Sequence, residues 1–310
     1  MISAIILAGL IVEWALYLEV GAALAQRHGQ PVTLAVAAAV AVFLGVRFAV
    51  IALQYALASR HRPAGRRRRS GRESVGAVFR EVGTVLAVFT WDQLLQRFLS
   101  PRDPPSVVPG AFPPVLLVHG IFCNAGVWRR MRRYLGTRGI DNLFAINLEP
   151  PLAGIDDFAV TLAERVEEVR RRTGADKVVL VAHSMGGLVS RAYIARLGGA
   201  QRVERLVTIG SPHHGSEMAR LAIGRCARDM IPNGPWLSGL VAAEAGSPGV
   251  PVTTIFSWDD NMVAPQDSPR LPGARAIALE NVGHLELLRS PEVMGLVAGE
   301  ISDARAATSP

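Results

Sequence analysis

The chain has little cysteine: Cys123 and Cys226 are the two in 310 residues. Two cysteines provide no disulfide framework, and neither has His or Asp neighbours at metal-ligand spacing, so both read as small buried side chains. No acidic cluster suited to calcium appears, and no metal or cofactor is expected. Acids are absent from residues 60–72, which hold seven Arg, whereas residues 73–310 carry 24 basic and 24 acidic side chains. The net charge of +7 therefore comes from one short segment, which excludes a nucleic-acid-binding face on the main domain. Charge is also scarce in residues 1–59, where Glu13, Glu19, Arg27 and Arg47 are the whole complement of Asp, Glu, Lys and Arg.

What fills residues 1–59 instead is apolar. Residues 2–25 and 32–58 are each long enough for a bilayer core, which takes about 20 helical residues. The polar turn between them, residues 26–31, makes a helical hairpin of two transmembrane helices. A cleaved signal is disfavoured because there is no basic leader and Glu13 interrupts the apolar run. Basic residues beside a span stay in the cytoplasm, so the chain after residue 60 is expected there, with the Arg segment facing anionic lipid headgroups. Glu13 and Arg47 need partners inside a membrane, and an antiparallel hairpin puts them within a turn of each other, which predicts an ion pair. Val75, Val78, Phe79, Val82, Val85, Leu86 and Phe89 then recur at helical spacing. This amphipathic helix suits either the membrane surface or packing on the domain that follows. Pro101, Pro104, Pro105, Pro109, Pro113 and Pro114 mark an extended linker.

From Val115 short apolar runs alternate with helical stretches, the pattern of a mostly parallel sheet flanked by helices. Strands are expected at residues 115–118, 143–147, 177–182, 205–209, 252–257 and 274–279. The third ends at Ala182-His183-Ser184-Met185-Gly186, with a helix after it. A strand–Ser–helix junction flanked by small residues is a nucleophile elbow and makes Ser184 the candidate nucleophile. Such a serine needs a base, an acid to orient the base, and donors for an oxyanion.

Of the seven histidines only His284 follows a credible acid-bearing strand, so it is the candidate base. Asp259 and Asp260 both lie in the loop after the fifth strand. Spacing to Val263 favours Asp260, with Asp259 as the alternative acid. The oxyanion donors are expected to be the N–H of Met185, at a helix N-terminus, and that of Ile121, in the loop after the first strand.

The stretches Val118-His119-Gly120-Ile121, Ala182-His183-Ser184-Met185-Gly186-Gly187, Asp260-Asn261-Met262-Val263 and Val282-Gly283-His284 resemble those of the small bacterial triacylglycerol lipases. Ser211-Pro212-His213-His214-Gly215-Ser216 is similar to a turn found in lipases generally. The resemblance covers about residues 113–302. It implies an α/β-hydrolase fold and ester hydrolysis by Ser184, Asp260 and His284, with Ile121 and Met185 as oxyanion donors.

The expected organisation is a transmembrane hairpin (1–59), an Arg-rich juxtamembrane segment (60–72), an amphipathic helix with a Pro-rich linker (73–112), and an α/β-hydrolase domain (113–302) with a small helical cap at about 216–250. A flexible tail (303–310) closes the chain. Apolar cap residues such as Met218, Leu221, Ile223, Met230 and Leu240 suit an acyl-chain wall or ordinary helix packing equally. The expected activity is a membrane-anchored carboxylic ester hydrolase acting on lipid or long-chain acyl esters in a bacterial inner membrane. An acyltransferase or thioesterase with the same triad, and a non-catalytic membrane scaffold, are the alternatives.

Overall fold

The structure is a computed structural model and describes residues 1–99, 101–108, 112–246 and 249–308. Helices α1 (Ile2–Arg27) and α2 (Val32–Ser59) form the expected hairpin. Ser70 caps the next helix, α3 (Gly71–Ala87). Its hydroxyl accepts the Glu73 N–H, and the Glu73 carboxylate accepts the Ser70 N–H at 2.7 Å. A π-helical turn (Val88–Asp92) and the short α4 (Gln96–Leu99) follow. Among the described residues three helices, not two, are long and apolar enough to cross a membrane: α1, α2, and α3 continued to Asp92. The third satisfies that measure with an amphipathic face, and its buried side, Ala77, Glu81, Val82 and Thr84, is partly polar.

Glu13 and Arg47 meet as expected. Both terminal nitrogens of the guanidinium reach the carboxylate, and Tyr17 donates to the same carboxylate at 2.7 Å. The guanidinium also lies over the Phe43 ring at 3.7 Å.

Strands β1 (Val115–Val118), β2 (Leu143–Ala145), β3 (Val178–His183), β4 (Val203–Ile209), β5 (Val252–Ser257) and β6 (Arg275–Leu279) form one sheet in the order β2-β1-β3-β4-β5-β6, every pairing parallel. This is the expected α/β-hydrolase core. Alternation along each strand sends side chains to two layers. Leu116, Val118, Leu180 and Ala182 enter one core with Phe144, Phe158 and Leu162. Val115, Leu117, Val179 and Val181 enter the other with Trp128, Met131 and Val297. Those layers are built by α5 (Arg129–Gly136), α6 (Ile155–Thr173), α7 (Met185–Arg196) and α10 (Pro291–Thr308). Gly174, in the left-handed region at φ 71°, terminates α6.

The cap between β4 and β5 consists of a 3₁₀ turn (Glu217–Leu221), α8 (Arg225–Asp229) and α9 (Pro235–Glu244). Met218, Met230, Leu237 and Leu240 are buried, whereas Leu221 and Ile223 are exposed. One expectation is corrected. Residues 303–308, expected as a tail, extend α10 because Ala304 packs into the core beside Ile301. The Pro-rich linker runs against the sheet edge. Arg102 O accepts the Ala145 N–H at 2.7 Å on the edge strand, and the Val108 N–H donates to the Asn142 side chain at 2.9 Å. Pro109 lies outside the described residues.

Candidate active site

Ser184 occupies the turn between β3 and α7 at φ 54°, ψ −127°, a region that L-residues rarely adopt. Its N–H donates to Ile209 O at 2.9 Å, which locks the turn against the end of β4. Small neighbours are required: a Cβ at Gly186 would lie 2.5 Å from Val118 O. As the first residue of α7, Met185 has an N–H that no intrahelical carbonyl can satisfy. Ile121 follows β1, and the preceding residue, Gly120, runs so close to the serine that a Cβ there would lie 2.8 Å from Ser184 Cβ. His119 pins that loop: its Nδ1 lies 2.8 Å from Gly120 O and its Nε2 accepts the Leu148 N–H at 3.0 Å. Burial lowers the His119 pKa to about 4, which keeps the ring neutral.

The structure brings His284 and Asp260 together, with Nδ1 and Oδ2 2.8 Å apart. The other Asp260 oxygen accepts the Met262 and Val263 N–H groups at 2.7 and 2.8 Å. Gly210, next in chain to the residue that holds Ser184, sits beside the pair: a Cβ there would lie 3.4 Å from both Asp260 Oδ2 and His284 Nδ1. Ser184, His284 and Asp260 therefore share one strand-end locale, and they are 8%, 5% and 2% exposed, so the three side chains are nearly closed to water. Burial opposes charge on His284, but the Asp260 carboxylate outweighs it and the pKa is raised.

The alternative acid, Asp259, points elsewhere. Its Oδ1 accepts Arg62 at 2.9 Å and Arg69 at 2.7 Å, and its Oδ2 accepts the Asn281 N–H at 2.7 Å. Burial opposes its charge, but these donors prevail and lower the pKa.

Several residues in this locale carried little sequence signal. Glu81 of α3 is 1% exposed and accepts the Leu285 and Glu286 N–H groups at 2.8 and 3.0 Å, directly after His284. Burial raises its pKa to about 7. Gly283 lies against it, where any Cβ would collide with the Glu81 carboxylate and, at 2.6 Å, with the Tyr55 hydroxyl. On α2, Gln54 Oε1 accepts from Asn261 at 2.9 Å, and Asn261 in turn accepts the His284 N–H at 3.0 Å. At the start of α1, Ser3 Oγ accepts from Asn124, in the loop after β1, at 3.0 Å. His183 Nε2 lies 3.2 Å from His284 O, so its ring supports the histidine loop rather than facing the serine's chemistry. The one legible hint was Glu81, a single acid set within an apolar helical stripe.

The Arg segment is less free than its composition suggests. Arg62 and Arg69 bind Asp259, Arg67 binds Glu73, and Arg66 lies over the Trp258 ring at 3.6 Å. Among the described residues no group of three or more His, Cys, Asp or Glu is placed to hold a metal ion.

Residues 113–247 match the family model described as alpha/beta hydrolase fold. A triacylglycerol lipase of Pseudarthrobacter phenanthrenivorans is 38% identical over 114 residues, 34% of this chain and 35% of that protein. A triacylglycerol lipase of Burkholderia plantarii is 38% identical over 114 residues, 34% of this chain and 31% of that protein. The matches thus span about a third of the length of these curated relatives. Among solved structures, the mature lipase BlEst2 of Bacillus licheniformis superposes with a TM-score of 0.57 at 20% identity, covering 64% of this chain and 95% of that one. Lipase B of Aspergillus fumigatus gives 0.56 at 20% identity, covering 66% of this chain and 60% of that one. The core of the chain is an α/β-hydrolase fold, and its partial homologues are lipases.

Proposed function

We propose that the chain is a membrane-anchored serine hydrolase that cleaves carboxylic esters, with lipid or long-chain acyl esters as its substrates. The observation that carries this reading is the Asp260–His284 pair at 2.8 Å beside a serine held at φ 54° between a strand and a helix. Asp260 accepts the Nδ1–H of His284, which leaves Nε2 as the basic nitrogen. Ser184 Oγ attacks the ester carbonyl as His284 takes its proton. The N–H groups of Met185 and Ile121 stabilise the tetrahedral oxyanion, the first with help from the α7 dipole. The imidazolium, favoured by Asp260, then protonates the leaving alcohol. Water hydrolyses the acyl-enzyme by the same route in reverse. Asp259 is an anchor for the Arg segment and not the triad acid.

The lipid preference rests on address. α1 and α2 serve as the two spans, and both ends of the hairpin bond to the domain, at Ser3 and at Gln54. α3 is docked on the domain through Glu81 and through Arg80, which binds Glu286 at 2.8 Å. The Arg segment after α2 puts the domain on the cytoplasmic side. The remaining Arg side chains face anionic headgroups. The test is Ser184→Ala in the full chain, assayed in detergent against short esters, triacylglycerols, phospholipids and acyl thioesters. The expected loss is on the order of 10⁴-fold or more in kcat with unchanged circular dichroism. Retained ester hydrolysis would sink the assignment.

A further inference from the structure

A cavity of about 900 Å³ lies between α2, α3, the Arg segment and the acid loop, and touches the Ser184 locale at Asp260. Its two ends differ in chemistry. One end is apolar: Ala49 and Ala52 of α2 leave a slot facing Val75 and Val78 of α3, and Phe48 meets Phe79 edge to face at 4.5 Å. The other end is ringed by Arg60, Arg62, Arg68 and Arg69, with Asp259, Asp260 and Gln266 also in its lining. Arg62 and Arg69 are committed to Asp259, and Asp260 to His284. Arg60 and Arg68 are exposed and carry no ion pair among the described residues. The cavity thus keeps uncompensated positive charge at one end only.

Its position matches a membrane leaflet. From Phe48 to Arg60 the α2 axis runs about 18 Å, close to half of a ~30 Å hydrocarbon core. Arg60 directly follows the span. The charged end therefore sits at headgroup level and the apolar slot at acyl-chain depth.

We propose that this cavity is a binding site for one anionic phospholipid of the surrounding bilayer, its phosphate held by Arg60 and Arg68 and an acyl chain laid in the Ala49–Ala52 slot. Guanidinium groups suit phosphate because their paired N–H donors match its oxygens. Charge complementarity selects an anionic headgroup over a zwitterionic one, and the apolar lining selects a lipid over a free phosphate. The site adjoins the proposed triad at Asp260 but is not lined by Ser184 or His284, and it rests on and extends the membrane-facing part of the reading above.

The experiment is native mass spectrometry of the full chain in detergent, titrated separately with phosphatidylglycerol, phosphatidylcholine and oleate. Phosphatidylglycerol should be retained at concentrations at least tenfold below phosphatidylcholine. Combined Arg60→Gln and Arg68→Gln should remove that preference, whereas Arg66→Gln, which also deletes a charge of the segment but outside the cavity, should leave it. Ala52→Phe should weaken retention of both phospholipids by filling the slot. Thermal unfolding of each variant confirms that it is folded. Equal retention of the two phospholipids, loss with Arg66→Gln as large as with the cavity pair, or a preference for oleate overturns the proposal. Ser184→Ala should retain phosphatidylglycerol like the parent, so failure of the hydrolase reading and failure of this one give different results.

Discussion

Along the sheet, neighbours follow from local period. Leu116 and Val118 face one layer and Val115 and Leu117 the other because side chains alternate along a strand. In residues 1–99 the decisive contacts are single polar side chains that reach far along the chain. Arg62 and Arg69 lie 197 and 190 residues from Asp259, and Glu81 lies 204 residues from Leu285. The sheet carries the proposed reactive groups, whereas residues 1–99 hold three of the loops around them: the one after β1 through Ser3, the one after β5 through Gln54 and two arginines, and the one after β6 through Glu81. Apolar anchorage and positioning of the site thus reside in the same stretch of chain.

The sharpest test of that division separates adjacent aspartates. Asp260→Asn should lower kcat on the order of 10⁴-fold, because the amide no longer fixes the His284 tautomer. Asp259→Asn should cost only about tenfold, by loosening the Arg62 and Arg69 contacts. Steady-state kinetics on one soluble ester decides the comparison, and equal losses would blur the division between reacting and anchoring groups.

A second test concerns the hairpin alone. Arg47→Glu sets two acids together in the spans and should lower membrane insertion by about 3 kcal/mol or more. Exchanging the charges, Glu13→Arg with Arg47→Glu, should restore it. Insertion measured by protease protection that fails to recover in the double variant would refute the pairing as the cause.

Titration tests the junction between the regions. Folding raises the Glu81 pKa from 4.5 to about 7, so the folded chain holds that proton more tightly than the unfolded one. Stability from this group is full below pH 4.5 and falls as pH rises to about 7, by about 3 kcal/mol. His284, also raised, acts in the same sense: its contribution is present below pH 6.5 and is lost as pH rises through its folded value. Thermal unfolding across pH 4–8 should show the decline, and Glu81→Gln should remove its acidic part. An unchanged profile in that variant would detach Glu81 from the histidine loop.

Much of the sheet was legible because its signals are local. Strands β1 and β5 and helix α6 fall where the apolar period and the turn residues put them. Ser184 and His284 were nameable because the elbow string and the order of loops constrain them. Asp259 and Asp260 adjoin each other, and what divides them is a pair of guanidinium groups arriving from another region, which no spacing rule encodes. The Arg segment was legible in part. Composition made it a headgroup collar, but four of its seven arginines are occupied by Asp259, Glu73 or Trp258. The third apolar helix gave an ambiguous signal because one face binds the domain and the other, with Val75 and Phe79, stays exposed.

Gly283 has a practical corollary. The space beside it is already taken by Glu81 and Tyr55. A version of the protein trimmed to its sheet, starting near residue 113, would keep Ser184, Asp260 and His284 but inherit a notch shaped for helices it no longer has. The N–H groups of Leu285 and Glu286 would lose their acceptor and Asp259 both of its cations. An inactive trimmed protein would therefore report the missing brace, and any transplant of this candidate site into a soluble framework must carry a replacement for the two helices or refill the notch.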